Sequence, residues 1–296
     1  MDQHLYSCLT VHPTHQQLVD TYGGGKVSNL HVARAAFMNN MTWQNNRVIK
    51  VAFLKEKVSY NNQTLDSGWT KRKEEFTIKT VTEKIIPLVN LDFDFNSSLE
   101  DADIRISFVA SAGSWSYIGT DCLNYKNINE ATLNLGWLDN DTDFDDIIYM
   151  NTGIVILHEF GHVLGMIHEH SREDASLQWN KDAVYKDFAK DPNYWTHEDC
   201  DEQIFDQVAL SSFNGSVYDP KSVMHYWFPN RYFKVPPNLP KVTSLSMLDK
   251  LWINKKYPGK QLPTYKPSNW FTLNWPFIVV VFVFMIILYT IFKSQL

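Results

Sequence analysis

Apolar and polar residues alternate in short runs through the first half of the chain and settle into helical spacing in the second. Arg47–Leu54 (RVIKVAFL) reads as a strand, and the compact part of the chain is expected to start near Trp43. Thr70–Ile86 sets Ile78, Val81 and Ile85 at helical spacing, and Pro87 closes that run because it lacks an N–H and restricts its predecessor. Leu88–Phe95 (LVNLDFDF), Asp103–Val109 (DIRISFV), Ser114–Ile118 (SWSYI) and Ala131–Trp137 (ATLNLGW) follow as short strands bounded by polar or glycine turns. Strand, helix and then several strands predict a mixed sheet. Past residue 150 the strand signals fade. Ile154–Leu157 reads as a buried helix, and Asn180 and Thr196 each stand where the N-cap of a short helix is expected. Residues 1–42, with Gly23-Gly24-Gly25 and a short helical pattern over Val32–Met38, form an N-terminal extension to a domain spanning 43–258. Val235–Pro240 is a proline-rich loop, and a proline-rich linker occupies 259–269.

The C-terminus changes the picture. Pro276–Phe292 (PFIVVVFVFMIILYTIF) carries no charge; as a helix it covers roughly 25 Å, and the preceding residues supply the rest of a bilayer core. Trp270, Trp275 and Tyr289 suit the interfacial belts and Lys293 can reach a headgroup, so a transmembrane helix is expected over 270–292 with a short tail at 293–296. The first twenty residues lack the charged start and long apolar run of a secretory signal. The resulting expectation is a single-pass C-terminal anchor in the lipid bilayer, inserted after translation, with the domain on the cytosolic side.

Composition adds three exclusions. With 44% hydrophobic, 14% aromatic and 20% charged residues the chain is a folded one. A net charge of −6 offers no broad basic field for phosphate backbones, so nucleic acid is not expected as a partner. Three cysteines are too few for a disulfide framework, which leaves room for one bridge, Cys122 to Cys200.

The chemistry is concentrated in His158–His168, HEFGHVLGMIH, which is HExxHxxGxxH. Residues four apart on a helix lie on one face, so His158 and His162 present two imidazoles one turn apart. A straight helix would carry His168 about 15 Å along the axis from His158, far beyond the roughly 2 Å bonds to a shared zinc. The helix must therefore break, and Gly165 stands where a left-handed residue could turn the chain back. Three neutral imidazoles leave the fourth position of Zn²⁺ open to water, as in a catalytic site. Cys122 and Cys200 fall outside the spacing of a closing fourth ligand. Glu159, next to the first ligand, can take that water's proton and pass it to a leaving amine.

The longer string HEFGHVLGMIHEHSRED, with Glu169, Arg172 and Asp174 after the third histidine, resembles the metzincin metalloproteases and within them the astacin family. Ser222-Val223-Met224-His225-Tyr226 is similar to that family's Met-turn, Leu245–Asp249 through Asn254 and Tyr257 to its closing helix, and Trp115–Gly119 to its edge strand. The resemblance covers about residues 43–257. It implies an α+β fold, a twisted mixed sheet with helices and a zinc cleft between two subdomains. It also implies one catalytic Zn²⁺ on His158, His162 and His168, with Glu159 as base and then acid, and Tyr226 as a switchable ligand steadying the oxyanion. Met224 becomes the floor of the site, and Ser114, Trp115, Ser116 and Tyr117 the strand on which an extended protein or peptide substrate lies antiparallel. The function implied is a membrane-anchored zinc endopeptidase; the rival is a membrane-anchored zinc-binding protein without activity.

Departures from that family are also legible. Ser114 stands where the family has a cysteine, and neither the Asp nor the Cys prosegment motif of the metzincins occurs in the first 45 residues, although Cys8 is a conceivable metal cap. In processed astacins the residue equivalent to Glu169 pairs with a new N-terminus, a partner not expected here. His170, His197 and His225 are read as ordinary hydrogen-bonded histidines, and the acidic run Asp139–Asp146 as a solvated turn. Tyr226-Trp227-Phe228 with Tyr232-Phe233 can wall a substrate pocket or serve as core.

Overall fold

The structure is a computed structural model, and it describes residues 9–11, 41–60, 63–138, 153–190, 194–207, 217–226 and 228–259. The expected membrane span over 270–292, the acidic run 139–146 and Trp227 lie outside these residues. Among the described residues no helix is long and apolar enough to cross a membrane. By its contacts the chain divides into residues 1–260 and 261–296, and all that follows concerns the first unit.

A six-stranded sheet runs in the order β1 (Leu9–Val11), β7 (Ser114–Tyr117), β8 (Leu133–Leu135), β6 (Ile104–Ser107), β2 (Val48–Phe53), β5 (Asp92–Asp94). β8, β6, β2 and β5 pair in parallel, and β7 joins β8 antiparallel. Every residue of β6 and β8 is buried, as a parallel sheet covered on both faces requires. The alternating runs thus became strands at the places expected, each trimmed at its ends. Leu88–Phe95 gave up most, because Pro87 opens a 3-10 turn over Ile86–Leu88 and only Asp92–Asp94 enters the ladder. A hairpin of β3 (Lys57–Tyr60) and β4 (Gln63–Asp66) was not anticipated. Its signal, Asn61-Asn62 between β-formers such as Val58, Tyr60 and Thr64, was present in the sequence.

Helix α1 (Lys71–Lys84) starts on Thr70, whose hydroxyl accepts from the Lys73 N–H. Helix α2 (Ile154–Val163) carries the histidine motif, is buried along its whole length, and packs on α1, β7 and β8. Beyond it the described residues form α3 (Lys181–Phe188), the short α4 (His197–Cys200), which runs on into a π-helical turn at Asp201–Phe205, and α5 (Met247–Lys256). Thr196 caps α4 through a reciprocal pair with Asp199, whereas Asn180 precedes α3 without a side-chain cap and its amide goes instead to the Arg231 carbonyl. Cys122 and Cys200 are both buried free thiols, so the conceivable bridge does not form. Cys122 sits in the 3-10 segment after β7, and Cys200 packs among Val184, Phe188 and Trp195.

Candidate active site

Helix α2 ends where the ligand geometry requires. Gly165 adopts φ 94°, a left-handed conformation costly for any side chain, and its N–H returns to the His162 carbonyl while the Met166 N–H reaches that of Gly161. The chain then runs extended through His168. The last carbonyls of the helix are held by distant aromatic residues: Trp43 Nε1 donates to Val163 O at 2.7 Å and Tyr257 Oη to Leu164 O at 2.6 Å. Both ends of the domain therefore close on the C-terminus of α2 and fix where the third histidine emerges.

The three imidazoles are buried, and their ligand atoms lie within 4.8 Å of one another. His158 Nδ1 sits 2.8 Å from Val223 O, and His162 Nδ1 sits 2.8 Å from Met166 O. A carbonyl can only accept, so each Nδ1 carries the proton and each Nε2 a lone pair. His162 Nε2 lies 3.1 Å from His168 Nε2. Two nitrogens bonded to one tetrahedral zinc at about 2.0–2.1 Å would stand about 3.3–3.4 Å apart. His158 Nε2 is buried on the same centre with no hydrogen-bond partner among the described residues. A proton shared by two histidines would leave this third lone pair unmatched, and a cation matches all three. Burial also pushes the His158 pKa down to about 4, keeping the imidazole in its ligating form.

The floor and rim come from the second half of the chain. The Met224 sulfur lies so close beneath α2 that a Cβ on Gly161 would stand 2.3 Å from it, which explains a glycine inside the helix. The Glu169 N–H donates to the Met224 carbonyl. The turn carrying Met224 is pinned by Asp249 of α5, which accepts from Ser222 Oγ at 2.7 Å and from the Val223 N–H at 2.8 Å. The Tyr226 ring stacks on His158, with centroids 5.6 Å apart, and lies 4.3 Å from the His168 ring. Glu159 is buried beside the first ligand. Asp249, Gly161, Trp43 and the Tyr257 hydroxyl escaped the sequence reading as site-building groups; the signal available was a polar residue in a helix otherwise matched to its family, and a glycine between two ligands.

The remaining expectations divide. His225 is a satisfied core histidine, 2.8 Å from Tyr218 Oη and 2.7 Å from the Tyr226 carbonyl, and burial holds its pKa down at about 4. His170 is buried against the Tyr226 ring and His197 stacks on Tyr185, and neither belongs to the metal-binding group. Phe228, Tyr232 and Phe233 join the core with Trp195 and Phe205, and of that aromatic run Tyr226 stays half-exposed. Glu169 is held within the domain: Arg172, itself fully buried, lies 3.3 Å away and the Asp219 N–H donates at 2.8 Å. Burial nonetheless pushes the Glu169 carboxyl up to about 8. Ser114, Trp115 and Ser116 have buried side chains, so β7 has only its backbone to offer along most of its length. That backbone is not an open edge. Leu9–Val11 pairs with it in parallel, Leu9 opposite Trp115 and Val11 opposite Tyr117, a contact the first 45 residues gave no motif for.

A broken helix presenting three buried imidazoles and a carboxylate, floored by a methionine, defines a zinc metalloendopeptidase. The profile of the astacin peptidase family matches residues 42–245. The chain belongs to the astacin family. Among solved structures it is similar to one titled "Structure of myroilysin", with 31% identity and a TM-score of 0.65 over 76% of this chain and 99% of that one. A second myroilysin structure matches at 27% identity and a TM-score of 0.53, covering 86% and 100%. No curated protein gives a significant match. The fold expectation, an α+β metzincin-type domain with a mixed sheet, and the zinc expectation both hold.

Proposed function

We propose that this zinc endopeptidase cuts protein or peptide chains while tethered to a bilayer by residues 270–292. The observation that carries the hydrolytic part is the convergence of three Nε2 lone pairs, two of them with Nδ1 locked on a backbone carbonyl. Zinc held there supplies a Lewis acid and makes water acidic enough to attack an amide near neutral pH. Glu159 takes the proton from the attacking water and returns it to the leaving amine, so that a peptide bond ends as a carboxylate and an amine. The Tyr226 phenol donates to the oxygen that becomes negative on the way. Gly165 and Met224 set the position of the third ligand and the floor. Digestion of a denatured generic protein tests this: equal cleavage by the native enzyme, by the chelator-treated enzyme and by Glu159→Gln would sink the reading in favour of an inert zinc-binding protein.

An extended substrate would add to β7 by main-chain hydrogen bonds over Ser114–Tyr117. The same edge carries β1, parallel to β7 and so opposite to the antiparallel sense that family resemblance implies for substrate. A segment laid in reverse covers the strand without offering its peptide bond in the productive direction. Residues 1–42 accordingly hold the enzyme in check, and substrate enters by displacing them. Deleting 1–42 is expected to raise the initial rate on an unstructured peptide, and an unchanged or lower rate with zinc retained contradicts the restraint.

Support for the tether is the charge-free run Pro276–Phe292 with tryptophans before it. The buried free thiols Cys122 and Cys200 support a reducing surrounding and so the cytosolic side for the domain. Membrane fractionation with protease protection checks both points: a soluble chain removes the tether, and a domain shielded inside sealed vesicles reverses the side.

A further inference from the structure

Helix α5 is apolar on two faces. Ile253 is buried and Leu248 half-buried toward the domain, while Met247 is 53% and Leu251 42% exposed on the outside. Met247, Leu251 and the exposed Lys255 follow at intervals of four, so they form one stripe along the helix. Scattered exposed apolar residues are ordinary on a protein surface. Two of them one turn apart and continued by a lysine make a pattern, and the other exposed large hydrophobics of the described residues, Val48, Tyr194, Val217 and Val235, sit on separate segments.

Charge marks the same place. From Lys241 to Lys266 there are six lysines and one acidic residue, Asp249, which is buried under the Met-turn, giving a local net charge of +5 in a chain of net −6. Lys255 rests over the Trp252 ring, 4.0 Å from its centre, which holds the ammonium beside the stripe. Residues 257–275 separate this helix from the charge-free run, and a flexible chain of that length has an end-to-end distance of roughly 22–26 Å. A bilayer entered at Pro276 therefore meets α5 at high effective concentration.

We infer that the outer stripe of α5, Met247, Leu251 and Lys255, with Lys250 and Lys256 on the same helix, docks on an anionic lipid surface. The inference rests on the tether proposed above and adds a second, electrostatic contact to it. Lysines beside a span are drawn to the negative potential of an anionic leaflet, while two apolar side chains enter the headgroup layer. The rest of the chain is more acidic than the whole, so the same field repels it. The domain is thereby oriented with α5 toward the lipid.

Full-length protein in nanodiscs tests this by amide hydrogen exchange, comparing discs of phosphatidylcholine alone with discs that also contain phosphatidylserine. Peptides covering 247–256 are expected to exchange about threefold more slowly on the anionic discs. The slowing should fade with added salt and vanish in K250Q/K255Q/K256Q, whose zinc content and peptidase rate stay native. Equal exchange on both disc types, with the protein retained in them, overturns the docking and leaves the tether standing; the stripe then belongs to a protein partner. Loss of the chain from both disc types overturns the tether and the docking together.

Discussion

The two halves of the catalytic unit are held by different means. Between Val48 and Leu135 the chain is tied by backbone ladders, with Ile49, Val51, Ile104, Ile106, Leu133 and Leu135 filling the space around them. Between Ile154 and Tyr257 the ties are side chains reaching distant backbone atoms: Asp249 to Val223, Tyr257 to Leu164, His158 to Val223, Glu169 to Asp219. The sheet half adds side-chain ties to its ladders: Asn134 joins Ser107, Val109 and Gly113, Arg105 donates to the Glu130 and Tyr125 carbonyls, and Asp103 accepts from the Lys50 N–H. A ladder accepts any apolar residue of suitable size, whereas a polar tie depends on one atom. The half that holds the ligands is thus the half in which single substitutions should be felt as loss of geometry.

The largest effect expected is chemical and separable from both halves. Glu159→Gln should lower kcat/KM by about 10²–10⁴-fold with zinc content and melting temperature preserved; a comparable fall in stability would mean that the carboxylate is structural. Next comes Asp249→Ala, which strands the Val223 N–H and Ser222 hydroxyl and should cost about 2–4 kcal/mol, with faster zinc loss to a chelator. Unchanged zinc retention would remove the claim that α5 positions the site.

Acid should act on the second half through His158 and His225. Burial holds both near a pKa of about 4, below the ordinary 6.5. The unfolded chain takes up protons below 6.5, so the metal-free protein keeps its full stability above that pH and loses on the order of 3 kcal/mol per histidine as pH falls toward 4. Urea midpoints of the chelated protein at about pH 7 and about pH 5 measure this, and a flat profile excludes neutral burial. The smallest effects form a pair. Gly161→Ala pushes against Met224 and should cost about 1–3 kcal/mol and weaken zinc binding, while Ile106→Val in the sheet should cost about 1 kcal/mol and leave zinc binding alone. Equal zinc loss in both variants would erase the distinction between the halves.

Much of the site was legible because its logic is local. The spacing of His158, Glu159 and His162 fixes their relation on any helix, and the need for a break before His168 pointed to Gly165, found at φ 94°. Strands were located to within a few residues, since alternation marks which residues face a core and leaves the ladder's ends to neighbouring turns such as the one Pro87 starts. The β3–β4 hairpin was missed because the pair Asn61-Asn62 is a weaker turn sign in a sequence than a pair containing glycine. Burial settled what periodicity could not, assigning Phe228, Tyr232 and Phe233 to core and the two cysteines to separate neighbourhoods.

The amino-acid order alone determined the ligand set, the glutamate beside its first histidine and the apolar C-terminal run, because each depends on residues within a few turns of one another. Tertiary structure decided which distant atoms hold that set in place: Trp43 and Tyr257 on the end of α2, Asp249 beneath the Met-turn, Leu9–Val11 along β7. The side-chain ties among them join residues 26 to 120 positions apart. Their free energy arises only when packing brings the partners together and excludes water, and no local pattern encodes that event.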